Sequence, residues 1–189
     1  MKTFYFVFVL AAFAGIIFLG CSQSPVGPND QPDSINKKGP VIHQVQGSLL
    51  LSPEGKTLGG RFTAHQYSDG SYDGQYEVNG ANALGDPSFK WNGDILFLKV
   101  YEEIGQYQGT MGVMGGVEKT GPYAGWYDVI FVIDNGIPGQ SSAPDEGINV
   151  IWMTQDLTEA ESWWNMDPYD LIAMCFGSVP AEQGNVTVE

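Results

Sequence analysis

From residue 41 onward, apolar and polar residues alternate over short runs, and Gly, Asp, Asn and Pro separate one run from the next. Successive side chains of a β-strand point to opposite faces, so alternation with a period of two predicts strands. The predicted strands span residues 41–51, 58–67, 72–79, 94–101, 107–118, 126–134, 147–154, 171–176 and 185–188. The pattern predicts one all-β domain over residues 41–189, an antiparallel β-barrel or barrel-like sandwich.

Two runs predict local structure in more detail. Residues 61–67 and 72–78 flank Asp69-Gly70. Because Asp-Gly supplies the positive φ angles of a tight turn, these two strands should pair antiparallel as a hairpin. Residues 129–133 are apolar at every position, which is typical of a strand covered on both faces.

Residues 156–164 are an exception to the strand pattern. Asp156 and Glu159 have the spacing of a capping box, and Pro168 is expected to close the segment. The sequence therefore predicts one short helix in a loop. Glycines within the run 109–116 indicate bulges or close backbone approach, which favours a closed barrel over a flat sandwich.

The first 21 residues predict export and lipid attachment. Lys2 precedes an apolar run over residues 4–19 that ends at Gly20-Cys21, which is typical of a bacterial lipoprotein signal peptide. Residues 1–20 would then be removed and Cys21 lipidated. The apolar run is shorter than the ~20 residues that span a bilayer, so an uncleaved anchor is the weaker interpretation.

The segment after the cysteine predicts a flexible tether. Residues 22–40 are rich in Ser, Pro, Gly, Asn, Asp and Gln and have almost no large apolar residue. Ser22 stands where Asp is an inner-membrane retention signal in many Gram-negative bacteria. The sequence therefore favours an exported, secreted-type protein at the outer membrane, facing either the periplasm or the medium.

Charge argues against nucleic acid as a partner, and cysteine usage argues against a disulfide within the mature chain. The chain has 22 acidic and 8 basic residues, a formal charge of −14, and no Lys or Arg after Lys119. Nucleic acid is excluded as a partner because phosphate binding needs clustered basic residues. With Cys21 lipidated, Cys175 has no partner for a disulfide within the mature chain, and its apolar neighbours predict a buried, inert thiol.

One polar loop has residues that could bind a metal. Asp134 and Asn135 lie at its start, and Asp145 and Glu146 lie at its end. Carboxylate and carbonyl oxygens in such loops bind calcium, which makes calcium the candidate cofactor. The spacing matches no standard calcium motif, and the same residues are ordinary turn formers, so the alternative is that they fix the loop.

Aromatic residues form the candidate ligand site. Trp163, Trp164 and Tyr169 belong to the predicted helical insertion, and Trp126 borders a Gly/Pro turn. Sugars stack on exposed rings of this kind at the rims of β domains. The alternative is that these rings fill the core, as most aromatic residues of a small domain do.

Catalytic signatures are missing from the sequence. It contains no G-x-S-x-G element, and His43 and His65 have no third ligand in a zinc pattern. We therefore expect a non-catalytic protein.

Several short turn motifs follow one another along the chain, at residues 43–48, 69–71, 74–76, 132–136, 143–145 and 184–188. In this order they resemble a family of secreted bacterial proteins of unassigned role. The resemblance implies an all-β domain outside the cytoplasm and carries no established activity. The insertion around Trp163 and Trp164 departs from the family's shorter connection.

Together these observations predict an acidic cell-envelope lipoprotein whose β domain binds or scaffolds a glycan, another extracellular polymer or an envelope protein. One alternative is a hydrolase that acts on envelope material through the loop carboxylates. The other is a purely structural component of outer-membrane assembly.

Overall fold

A computed structural model describes residues 38–52, 57–80, 89–102, 104, 109–136 and 143–189. The described strands and helices are β1 (Val41–Leu51), β2 (Leu58–Tyr67), β3 (Tyr72–Gly80), β4 (Phe89–Tyr101), β5 (Thr110–Glu118), β6 (Tyr127–Asp134), β7 (Glu146–Ile148), β8 (Trp152–Thr154), α1 (Leu157–Trp164), α2 (Pro168–Met174) and β9 (Ser178–Val188). The predicted all-β class is confirmed.

The described strands form one antiparallel sheet that closes on itself. The order is β5-β4-β3-β2-β1-β9-β7-β6-β8, and β5 also pairs with β6. Eight of these strands therefore form a ring. β8 pairs with residues 127–129 of β6, on the same edge where β7 pairs with residues 132 and 133. The predicted closed arrangement takes the form of this ring-like sheet.

The predictions for β1, β2 and the β2–β3 hairpin are confirmed. β1 and β2 have the predicted bounds, and β2 pairs antiparallel with β3 across the Asp69-Gly70 turn. Gly70 has a φ of 82°, the left-handed conformation that glycine adopts without strain. The single strand predicted over residues 147–154 is instead two short strands, β7 and β8.

The strand predicted over residues 171–176 is wrong, and the domain has two short helices where one was expected. Pro168 begins α2 instead of ending α1, since proline is tolerated in the first helical turn, where its missing N–H breaks no bond. The Asp167 side chain accepts from the Tyr169 N–H and caps the helix (2.9 Å). Periodicity alone does not distinguish a short apolar run in a strand from one in a helix.

The apolar core has two layers. Inside the ring, alternate residues of the strands pack together, among them Val45, Phe62, Tyr76 and Met114. Outside the ring, α1 covers β5 and β6. Residues 129–133 are buried at every position, as predicted for a strand covered on both faces.

Trp164 is the main contact between α1 and the ring. Its indole lies against Gly115, where a Cβ atom would come within 2.2 Å of the ring. It stacks on Phe97 with 5.7 Å between centroids, and its Nε1–H donates to the Asp128 carbonyl oxygen (2.7 Å). The absence of a side chain at Gly115 therefore creates the space in which α1 packs.

Candidate functional site

The outer face of β9, β1, β2, β3 and β4 carries polar side chains in register across the strands. Alternation sets this face, because the intervening residues of the same strands are buried inside the ring. The first row is Thr187, Gln46, Thr63, Gln75 and Asp94. The second row is Asn185, Ser48, Arg61, Glu77 and Asn92.

All residues of the two rows except Asp94 line a surface groove with a volume of about 900 Å³, which we call the polar groove. A second depression of about 570 Å³ shares Thr63 and Gln75 with it and extends toward His65 and Asp73. Amide and hydroxyl groups both donate and accept hydrogen bonds. The polar groove therefore offers many uncharged hydrogen-bonding groups, together with the charged side chains of Arg61 and Glu77.

Ion pairs lie at the β4 side of the polar groove. Lys90 Nζ is 2.9 Å from Glu77 Oε2, and Lys119 Nζ is 3.1 Å from Asp94 Oδ2. The hydrogen bond from Lys90 lowers the pKa of the Glu77 carboxyl. Each of these carboxylates thus has a lysine partner, which reduces the local negative charge of an acidic protein.

Asp73 is the centre of a hydrogen-bonded cluster at another edge of this surface. It accepts hydrogen bonds from Lys38 Nζ and from the Tyr67 hydroxyl (2.9 Å), and His65 Nδ1 lies 3.0 Å from it. The Lys38 hydrogen bond lowers the pKa of Asp73 to about 2. Because Ser68 N–H also donates to the Pro40 carbonyl (2.9 Å), the hairpin turn holds the start of the described chain in place.

Three polar groups lie inside the ring: Tyr76, Glu118 and Asp128. The two carboxylic acids are 2% and 0% exposed. Tyr76, Gly93 and Glu118 are opposite one another on three neighbouring strands, and Gly116 is opposite Asp128. The tyrosine ring reaches the acids because two of these positions are glycines: a Cβ atom at Gly93 would lie 2.2 Å from its hydroxyl and one at Gly116 2.5 Å from its ring.

Burial raises the pKa values of both Glu118 and Asp128, and the charge of Asp128 raises that of Glu118 further. Their carboxyl oxygens and the Tyr76 hydroxyl approach one another without a well-formed hydrogen bond to any described residue. Burial and the charge of the neighbouring acid therefore both favour a protonated carboxyl group in this pair. Since both are buried, neither acid can reach a ligand in the polar groove.

In the structure, the candidate metal residues form hydrogen bonds that hold their loop in place. Asp145 accepts from the N–H groups of Asn135 (2.9 Å) and Val186 (2.8 Å), while Asp134 accepts from those of Gly136 (2.8 Å) and Val188 (3.1 Å). Burial raises the pKa of Asp145, and these backbone donors oppose the rise.

The amide of Asn135 donates to Pro144 O (2.6 Å) and to Glu146 Oε1 (3.4 Å), and the Ser178 hydroxyl donates to Glu146 Oε2. Within the described ranges, no three His, Cys, Asp or Glu side chains are grouped to hold a metal ion. The calcium site stays a prediction, while the loop-fixing alternative accounts for every contact of these four residues given above.

The candidate aromatic residues separate into two groups. The expected exposure of Trp163 and Trp164 is wrong: the two rings are 8% and 4% exposed and belong to the core. Their helix packs on the ring and removes them from solvent. Tyr169 is exposed, as expected of a ligand-binding residue. Trp126 is half-buried and packs edge-on against Tyr123 in the β5–β6 turn, with centroids 5.5 Å apart.

Sequence reasoning missed the polar groove. Its signal was present as polar residues at every second position of β1, at 44, 46 and 48, and again at 185 and 187 in β9. Alternation of this kind shows that a strand has a solvent face. It does not show which strands are neighbours, and the rows exist only because the strands pair in one register.

Cys175 is buried, as predicted, and burial raises the pKa of its thiol to about 12, so it is inert at neutral pH. The predicted signal peptide, Cys21 and almost all of the predicted tether lie outside the described residues. Neither of the two described helices is long and apolar enough to cross a membrane.

Comparison with protein-family models, with curated proteins and with solved structures finds no match to this chain. The resemblance to secreted bacterial proteins of unassigned role therefore stays a prediction based on the turn motifs.

Proposed function

We propose that this chain is a lipid-anchored cell-envelope protein whose β domain binds a glycan in the polar groove without turning it over. The observation that carries the proposal is the pair of polar rows in register across five strands, in a groove of about 900 Å³. Sugars present hydroxyl groups that donate and accept, and the amides and hydroxyls of the rows complement them in both senses.

The placement of the carboxylates supports binding over hydrolysis. Asp134 and Asp145, the acids on which a hydrolase would depend, accept backbone N–H groups that hold their loop. Glu118 and Asp128 are close together but enclosed by the ring. A glycosidase needs two carboxyl groups on either side of a bound sugar, and neither pair has that access.

The anchor would be a diacylglycerol on Cys21, with the outer membrane as its destination. Residues 22–37 are long enough to span about 55 Å when extended, so the domain can work away from the lipid surface. Incorporation of labelled palmitate into the wild-type protein, and its loss in Cys21→Ala, tests this part. Equal labelling of the two proteins would contradict it.

Retention of the full chain, purified in detergent, on insoluble cellulose, chitin, starch and peptidoglycan tests binding. Gln46→Ala/Gln75→Ala removes two amides from the first row, and at ~1 kcal/mol for each hydrogen bond it should weaken retention by more than about tenfold. Gln155→Ala/Gln183→Ala removes two exposed amides outside the groove and should change nothing. Retention of both variants at the wild-type level would contradict the proposed site.

A further inference from the structure

A second surface of the domain exposes a pair of aromatic rings. Trp152 lies in β8 and is 38% exposed, while Phe176 follows α2 and is 71% exposed. Their centroids are 6.5 Å apart and their planes are inclined by 25°, so the two rings stack on each other. Neither residue lines the polar groove. We call this pair the aromatic platform.

Hydrogen bonds fix the platform to the fold. They hold the backbone on both sides of Phe176 and orient the indole of Trp152, so the two rings have a defined position before any ligand arrives. The donor and acceptor pairs are Trp152 Nε1 to Met174 O (3.0 Å), Asn149 Nδ2 to Phe176 O (3.1 Å), Phe176 N to Ala173 O (3.1 Å) and Gly177 N to Ile172 O (2.8 Å).

The backbone of Phe176 is strained. Its φ is 59°, and among the described residues it is the only non-glycine residue with a positive φ. Bulky side chains rarely adopt this conformation, which glycine adopts freely. Because the side chain is exposed, its packing contributes little stability to offset the strain. This conformation ends α2: Phe176 follows the cap residue Cys175, at a position where glycine is the usual residue. An exposed phenylalanine at such a position is a candidate for a role other than packing.

We propose that Trp152 and Phe176 form a stacking site for one sugar ring of a polysaccharide; this inference rests on the proposed glycan-binding function and adds a second contact to it. Because the Trp152 N–H already donates to Met174, the platform offers a ligand its ring surfaces and few hydrogen bonds. A pyranose can place its C–H face on such rings and keep its hydroxyls in water.

Charge selects an uncharged polysaccharide over an acidic polymer or an anionic membrane. The chain carries a formal charge of −14, and residues 120–189, which include the platform, contain no Lys or Arg. The carboxylates of this stretch have no basic residue of their own segment to neutralise them, which disfavours an acidic ligand. The groove lies on β9, β1, β2, β3 and β4 and the platform on β8, so each is a separate contact for a polysaccharide.

Substitution of Phe176 by glycine gives a sharp test, because it removes the ring and relieves the strain together. In the full chain, Phe176→Gly should raise or preserve Tm, while retention on whichever of cellulose, chitin, starch or peptidoglycan holds the wild type best should weaken about tenfold. Phe176→Tyr keeps an aromatic ring and should bind as the wild type does. Leu157→Ala, which removes an exposed apolar side chain from α1, should also leave retention unchanged.

Each outcome bears on the proposal. Retention of Phe176→Gly at the wild-type level, while Gln46→Ala/Gln75→Ala is weakened, would overturn the platform and leave the polar groove standing. Loss of retention in Phe176→Gly and in Phe176→Tyr alike would also overturn it, because the aromatic ring would not be the cause. A wild-type protein retained by none of the four polysaccharides would overturn the proposed function itself.

Discussion

Along β5 and β6, the residues that point away from the ring are apolar or lack a side chain, as at Val113, Gly115 and Phe131, and α1 covers them. Along β1 and β2 the equivalent positions hold residues such as Gln46 and Thr63, and nothing in the described chain covers them. We call these surfaces the covered half and the bare half.

The two halves differ in whether a helix covers their outer face, and this difference explains their residue patterns. A strand with a helix on its outer face can be apolar on both sides, whereas a strand with one face in water must alternate. The covered half adds a second layer to the core. The bare half leaves its hydrogen-bonding groups exposed, so substitutions there should affect the proposed binding much more than stability.

The largest expected effect lies in the covered half. Trp164→Ala removes the stack on Phe97 and the hydrogen bond to the Asp128 carbonyl, and it leaves a cavity above Gly115. Buried tryptophan truncations cost about 3–5 kcal/mol, and we expect that loss in the free energy of unfolding from urea titration. A loss below ~1 kcal/mol would break the comparison, because α1 would then be dispensable.

The next effect is the pH dependence of stability. It compares Glu118, an acid inside the ring, with Glu77, an acid on the bare half. The folded-state pKa of Glu118 is raised, so folding takes up a proton above the ordinary carboxyl pKa of 4.5 and stability falls as pH rises. Glu118→Gln stays neutral and should lose less stability. The gain of the variant over the wild type should therefore grow with pH, by up to ~1.4 kcal/mol per unit of pKa shift.

The matched control is Glu77→Gln. The pKa of Glu77 is lowered by Lys90, so its small contribution is present above the ordinary carboxyl pKa and is lost as pH falls. This variant should be slightly less stable than the wild type at neutral pH and equal to it in acid. Thermal melts between pH 4 and pH 9 measure both series, and parallel curves for Glu118→Gln and the wild type would contradict the buried-acid account.

A smaller effect is expected at the start of the covering helix. The Asp156 side chain accepts from the N–H groups of Thr158 (2.8 Å) and Glu159 (3.4 Å), so Asp156→Ala should cost about 1 kcal/mol. Asp156→Asn retains an acceptor and should lose little. Urea unfolding compares the two variants, and equal losses would show that the cap is not the cause.

The smallest effect belongs to the bare half. Gln46→Ala and Gln75→Ala remove exposed side chains with no partner needed by the fold, and each should change the unfolding free energy by less than ~0.5 kcal/mol. A large loss of stability in either variant would show that the polar rows hold the sheet together and would weaken the contrast with the covered half.

The sequence by itself determined the features that depend on neighbours along the chain. Asp69-Gly70 specified the β2–β3 turn, alternation specified the bounds of β1 and β2, and Asp156 marked the start of α1. Each of these follows from the conformations that a few adjacent residues allow, so no knowledge of distant contacts was needed.

Only the tertiary structure decided which residues are buried and which line the polar groove. The packing of α1 on β5 and β6 buries Trp163 and Trp164, which the sequence presented as an exposed pair. Most of the run 171–176 belongs to α2, which ends at Met174. The polar groove forms only because β9, the last described strand, pairs with β1, the first. Long-range pairing sets these outcomes, and alternation within one strand carries no information about its partner.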